Sequence, residues 1–70
     1  MNMMDVNEKV AFYERKRLII HTIIKTDETT KPLWRKLFWS TGRNSKEYKA
    51  GCVDIFKEHF KNLFDYCMRA

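Results

Sequence analysis

The sequence predicts an all-α fold, a small bundle of three helices (long, short, long) that self-associates. Apolar residues recur at three- and four-residue spacing along most of the chain, which is the pattern of amphipathic helices. The chain has only two glycines and one proline, whereas a β-sandwich or barrel needs a turn signal every ~8–12 residues. Its 70 residues form one predicted domain, 1–70, near the lower limit of independent folding.

The first helix is predicted from about Val6 to Lys25. Asp5 is placed to cap its start, and Glu8, three residues later, completes a capping box. Its apolar residues form two strips about 120° apart, which suggests two packed neighbours. One strip holds Val6, Val10, Tyr13, Ile20 and Ile24, and the other holds Phe12, Ile19 and Ile23. The β-branched stretch 18–26 leaves a strand open as an alternative.

A polar connector, 27–31, precedes a short second helix predicted over 31–40. Pro32 suits the first turn of that helix, with Thr30 or Lys31 before it. Gly42 is a natural stop, because glycine adopts positive φ without steric cost. Trp39 points away from the apolar face, which is formed by Leu33, Trp34, Leu37 and Phe38.

The third helix is predicted from Asn44 to about Met68, with Asn44 as its cap and Glu47 as the second half of a capping box. Lys61 and Asp65 are four residues apart and can pair. The apolar arc covers about half of the circumference, more than one packed neighbour requires. It contains Tyr48, Cys52, Ile55, Phe56, His59, Phe60, Leu63, Phe64 and Cys67.

Catalytic, cofactor and metal sites are not expected. The sequence has no glycine-rich phosphate loop, no Cys-x-x-Cys and no His-x-x-x-His pair. Cys52 and Cys67 lie about 22 Å apart if they share one helix, too far for a disulfide. We expect them to be free, half-buried thiols, with an intermolecular bridge as the alternative. His59 is expected to be a core or interface residue, not a ligand.

The positive charge is concentrated in the middle of the chain. The net charge is +5, and residues 15–49 contain ten basic residues and three acidic ones. The densest part, 34–46, mixes cations with large aromatic residues, the types that dominate protein-interface hot spots. The sequence therefore favours a non-enzymatic accessory protein that binds a protein partner as a regulator or inhibitor. The predicted docking patch is Trp34, Arg35, Lys36, Trp39, Arg43 and Lys46, with Trp39 as its anchor.

Nucleic-acid binding is the alternative, since lysine and arginine side chains neutralise phosphates. The residues that would carry it are Arg15, Lys16, Arg17, Lys36, Arg43, Lys46 and Lys49. A standard helix-turn-helix is disfavoured, because Phe38 and Tyr48 stand where a small and an aliphatic residue belong.

Partners and location complete the expectations. A homo-oligomer, most simply a dimer that associates through the long first and third helices, is predicted because so short a chain rarely covers this much apolar helical surface alone. No apolar run approaches the ~18 residues of a membrane span, and the acidic N-terminal segment does not resemble a signal peptide. We expect a cytoplasmic protein, of a size and composition that would suit an accessory protein of a phage or mobile element.

Overall fold

The structure, a computed structural model, describes residues 4–69. This part of the chain contains five helices and no strand: α1 (Val6–Arg15), α2 (Arg17–Thr26), α3 (Lys31–Thr41), α4 (Lys46–His59) and α5 (Lys61–Arg69). The all-α class is confirmed, and stretch 18–26 is helix. The predicted count of three helices is wrong, because a single non-helical residue divides each of the two long segments.

The first break lies at Lys16, whose backbone leaves the helical region at φ −115°, ψ 24°. The break loses little hydrogen bonding. The Lys16 N–H still donates to the Phe12 carbonyl at 2.9 Å, and the Lys16 carbonyl accepts from the Ile20 N–H at 3.0 Å. The change of direction brings apolar residues of both predicted strips, Phe12 and Ile20 among them, into one core.

The second break lies at Phe60, at φ −134°, ψ 55°. An unbroken helix over the predicted 24 residues would be ~36 Å long, whereas the longest dimension of the molecule is 30 Å. The break redirects α5 so that Phe64 packs against Phe12 and Phe56, with ring centroids 5.2 and 6.3 Å apart. Because glycine and proline are absent here, no local signal announces this break.

The capping box predicted at the first helix is confirmed, whereas the cap predicted at Asn44, and with it the box with Glu47, is wrong. The Glu8 N–H donates to Asp5 Oδ1 at 2.8 Å, and the Asp5 N–H donates to Glu8 Oε1 at 3.0 Å. At α4 the cap is Ser45, whose hydroxyl accepts from the Tyr48 N–H at 3.0 Å. Asn44 is left-handed, with φ 70°, and therefore belongs to the turn, since a cap residue needs extended backbone.

Helix α4 is central and contacts each of the other four helices. Two ion pairs hold α1 antiparallel to it: Lys9 with Asp54 and Glu14 with Lys49, both at 2.7 Å. The predicted pair on α5, Lys61 with Asp65, is present at 3.9 Å. The buried hydrophobic cluster is formed by Phe12, Tyr13, Ile20, Ile24, Tyr48, Cys52, Val53, Phe56, Phe64 and Cys67.

Helices α3 and α4 approach closely at Gly51. A Cβ atom at this position would lie 2.6 Å from Leu37 Cδ1, well inside van der Waals contact. Glycine therefore lets Leu37 pack against the α4 backbone, and a larger residue here would force the Leu37 side chain to shift. This role was missed in the sequence, where a glycine inside a helix gives no sign of which neighbour it admits.

The connector between α2 and α3 is organised by Asp27 and Thr30. Asp27 Oδ2 accepts the N–H groups of Thr29 and Thr30 at 3.0 and 3.1 Å. The Thr30 hydroxyl is fully buried and donates to the Ile24 carbonyl at 2.9 Å. The Thr30 hydroxyl therefore pairs with a carbonyl in the last turn of α2, and it makes no side-chain cap for α3.

Several residues predicted to face a core are exposed. Val6, Ile19 and Leu33 are exposed. Leu18, which belonged to neither predicted strip, is also exposed, with 73% of its surface accessible. His59 is also exposed at the end of α4, before the break. It therefore does not lie in the core, and the interface role stays a prediction. Cys52 and Cys67 are free, as predicted, and more deeply buried than expected.

Candidate functional site

The outer face of α3, defined by Arg35, Lys36 and Trp39, is the first candidate surface. Residues three and four apart lie on the same side of a helix, so these three side chains form one patch. All three are exposed, and Trp39 presents 82% of its surface to solvent. As predicted, Trp39 points away from the apolar face of its helix; it contacts Phe38 edge-to-face at 6.1 Å.

The chain around this face is strictly basic. Residues 29–46 contain no aspartate or glutamate and five cations: Lys31, Arg35, Lys36, Arg43 and Lys46. An acidic partner would therefore meet no local carboxylate on this segment.

The other three members of the predicted docking patch, Trp34, Arg43 and Lys46, lie elsewhere. Trp34 is half-buried; its Nε1–H donates to the Tyr48 hydroxyl at 2.8 Å, and its ring stacks on Phe38 at 5.4 Å. The Arg43 guanidinium lies over Phe38, 5.7 Å from the ring centroid. Trp34 is thus engaged within the protein, and Lys46 is exposed at the start of α4.

The second candidate surface is a cleft of about 460 Å³ between α1, α2, α3 and the start of α4. Four cations line this basic cleft: Arg17, Lys25, Arg43 and Lys49. Within the described part of the chain, Glu14 is its single carboxylate, and it is paired with Lys49.

The geometry of the basic cleft follows from the spacing on α2. Arg17, His21 and Lys25 are four residues apart and therefore share one face of that helix. The break at Lys16 turns this face toward α3 and α4. The sequence signal, two cations flanking a histidine at four-residue intervals, was available but was not recognised.

Aromatic side chains and His21 form a hydrogen-bonded floor. His21 Nε2 lies 2.6 Å from the Tyr13 hydroxyl and 3.2 Å from the Tyr48 hydroxyl. Tyr48 also accepts from Trp34 Nε1. With the imidazole proton assigned to Nδ1, the Nε2 lone pair accepts from the Tyr13 hydroxyl at 2.6 Å, and the Tyr48 hydroxyl at 3.2 Å is a longer second donor.

The protonation states agree with this assignment. Burial, reinforced by the charges of Lys25 and Arg17, lowers the pKa of His21 below its ordinary value of 6.5. Burial raises the pKa of Tyr13 and of Tyr48. At neutral pH the phenols keep their protons and the imidazole is neutral, so the floor carries no charge.

The cations above the floor are held by weak contacts. Lys25 Nζ lies over the Trp34 ring, 4.8 Å from its centroid, and Arg43 lies over Phe38. Such contacts contribute about 0.5–1 kcal/mol at exposed sites. The Lys49–Glu14 pair is partly exposed, and pairs of this kind contribute ~0.2–1 kcal/mol. An anion that enters the cleft therefore has to displace only weak contacts of these cations.

The seven residues of the nucleic-acid alternative are divided by the fold. Arg17, Arg43 and Lys49 line the basic cleft. Arg15 lies over Phe12 at 5.9 Å, and Lys16 is half-buried at the helix break. The other two, Lys36 and Lys46, are exposed on α3 and at the start of α4.

Metal ligands and reactive thiols were sought among residues 4–69. No group of three histidine, cysteine or acidic side chains there is placed to hold a metal ion. Burial raises the pKa of the Cys52 thiol to about 12, so this thiol is not activated. None of the described helices is long and apolar enough to cross a membrane.

Comparison of the chain with protein-family models, curated proteins and solved structures gave no match. A functional proposal for this protein therefore depends on its own surfaces.

Proposed function

We propose that this protein is a non-enzymatic regulator or inhibitor that docks on an acidic surface of a partner protein through the outer face of α3. The observation that carries the proposal is the exposure of Trp39. An 82% exposed indole contributes almost nothing to the folded state through burial. Truncating a tryptophan hot spot at the centre of an interface costs ~2–4 kcal/mol of binding free energy.

Charge selects the class of partner. Arg35 and Lys36 flank Trp39 on the same face, and neither makes a salt bridge with another of residues 4–69. A basic patch steers association with an acidic surface and suppresses association with basic ones. An apolar anchor between two cations is the arrangement expected of a small interface of this type.

Site-specific photocrosslinking tests this proposal. A photoreactive phenylalanine analogue is placed at position 39 and, as the control, at exposed Tyr66 on α5. We expect a crosslinked protein at position 39 only, whose acidic surface is then mapped by mass spectrometry. The purified partner is titrated with the wild type, Trp39→Ala and the control Lys61→Ala.

Trp39→Ala should weaken binding about 30-fold, since 2 kcal/mol corresponds to roughly that factor. Lys61→Ala, on α5, should leave the affinity unchanged. Equal affinity of Trp39→Ala and the wild type would overturn the proposal. A nuclease-sensitive adduct at position 39, with affinity that falls steeply with salt, would replace it with the nucleic-acid alternative.

We also propose that copies of the chain self-associate, most simply as a dimer. Exposed Leu18 and Ile19, adjacent on α2, support this proposal. The predicted surfaces on the first and third segments contribute less, because α1 and α4 pack on each other within one protomer. Light scattering of the wild type and Leu18→Glu at micromolar concentration tests it. A monomeric mass for the wild type contradicts self-association.

A further inference from the structure

We propose that the basic cleft binds a phosphate ester, such as a nucleoside phosphate, independently of any docking on the outer face of α3. The cleft is formed by four helices and by the turn before α4, and four cations surround it. The proposal depends on where these cations lie, how weakly they are held and what covers the floor beneath them.

The number and origin of the cations favour phosphate over a carboxylate. Arg17 and Lys25 enter from α2, Arg43 from the turn and Lys49 from α4. A phosphate monoester carries up to two negative charges and three strong acceptor oxygens, which several charge-assisted donors satisfy together. One carboxylate is satisfied by one or two such donors, so four would be redundant.

The same cations are free to turn toward a ligand. Lys25 and Arg43 rest on aromatic faces, and these contacts are weaker than a charge-assisted hydrogen bond to phosphate. Lys49 forms a partly exposed ion pair with Glu14 at the edge of the cleft. Arg17 forms no salt bridge within the described part of the chain.

The aromatic walls of the basic cleft strengthen the attraction between its cations and an anion. Phe38, Trp34 and the uncharged Tyr13–His21–Tyr48 floor form an aromatic, concave surface that carries no charge beneath the cations. Concave sites with low-dielectric walls focus the field of the surrounding charges. A volume of about 460 Å³ lies within the range of ~300–1,000 Å³ for small-molecule sites, so an organic group fits beside the phosphate.

His21 supplies a spectroscopic reporter for the test. It lies on the floor between Arg17 and Lys25, and an anion above it would offset their charges and favour imidazole protonation. The second histidine, His59, lies outside the cleft and serves as an internal control in the same spectrum.

The experiment follows both histidine ring resonances at low salt during titration with ATP and, separately, with a short single-stranded oligonucleotide. The two probes distinguish a free nucleoside phosphate from a phosphodiester strand as the source of the phosphate. The variants are Arg17→Ala and Lys25→Ala, whose side chains are exposed. Lys36→Ala removes the same charge from the outer face of α3 and is the matched control.

We expect saturable binding of one probe, a shift of the His21 resonance without a shift of His59, and about tenfold weaker binding by each cleft variant. Lys36→Ala and Trp39→Ala should bind the probe like the wild type, which separates this site from the proposed docking face. No saturation with either probe up to about 10 mM, the scale of very weak binding, overturns the proposal. Equal loss in Lys36→Ala and the cleft variants also overturns it, since binding would then follow net charge alone.

Discussion

His21 is the titratable residue whose charge state depends most clearly on its neighbours. Arg17 and Lys25 flank it on α2, and the hydroxyls of Tyr13 and Tyr48 face it from α1 and α4. Protonation would place a third positive charge in this group. It would also remove the lone pair of Nε2, to which the phenols donate.

Stability should therefore fall as the pH is lowered. The folded-state pKa of His21 lies below its unfolded value of 6.5, so the unfolded chain binds the proton more readily. The stabilisation is fully present above the unfolded pKa and is lost as the pH falls through the folded pKa. We expect a lower Tm at about pH 5.5 than at about pH 7.5, a window above most carboxylate titration.

The matched controls are His21→Gln and His59→Gln. The first should flatten the dependence of Tm on pH in this window, and the second should preserve it, because His59 is exposed and makes no contact with the network. An equal dependence in the wild type and His21→Gln would contradict the assignment of a neutral His21.

At the scale of the helix, two effects act in opposite directions at position 51: helix propensity favours alanine, whereas packing against Leu37 favours glycine. Alanine in place of glycine favours a helix interior by about 1 kcal/mol. The added Cβ would lie 2.6 Å from Leu37 Cδ1, and overpacking of this kind costs about 1–3 kcal/mol. We expect Gly51→Ala to lower the free energy of unfolding by about 1 kcal/mol, measured by urea denaturation.

The sign should reverse when the neighbour is removed. In a Leu37→Ala background the clash is absent, so Gly51→Ala should stabilise the protein by about 1 kcal/mol through propensity alone. Destabilisation of equal size in both backgrounds would show that the close contact is not the cause.

The connector between α2 and α3 depends on one buried hydroxyl. Thr30→Val keeps the shape of the side chain but leaves the Ile24 carbonyl without its donor, at a cost of about 1–3 kcal/mol. Thr29→Val is the matched control, since Thr29 is exposed and contributes its backbone N–H to Asp27. Equal unfolding free energies for the two variants would contradict this role of Thr30.

At the scale of the whole molecule, the two thiols report global unfolding. Cys52 and Cys67 are both buried, and the pKa of Cys52 is raised to about 12. At pH 8 only about one Cys52 in ten thousand would be a thiolate. We expect neither thiol to react with a disulfide reagent in the native protein and both to react in urea.

Single-cysteine variants, Cys52→Ser and Cys67→Ser, separate the two reactions. If the remaining thiol of either variant reacts under native conditions as fast as it does in urea, that cysteine is not protected by the fold. Burial of both thiols also opposes the intermolecular disulfide that the sequence left open, since such a bond needs accessible sulfur.

The sequence by itself determined the helical class, the capping box at Asp5 and Glu8, the stop at Gly42 and the outward direction of Trp39. Each follows from interactions within one or two turns, which are encoded locally. The common face of three predicted docking residues on α3, Arg35, Lys36 and Trp39, could be predicted for the same reason.

Only the tertiary structure decided where the long segments break and which side chains meet. The breaks at Lys16 and Phe60 depend on packing around one small core, since neither residue is a glycine or proline. The basic cleft joins residues as far apart as Tyr13 and Lys49, and no periodicity within a single helix brings such residues together. Local patterns predict helices and their faces, whereas sites formed between helices depend on the path of the whole chain.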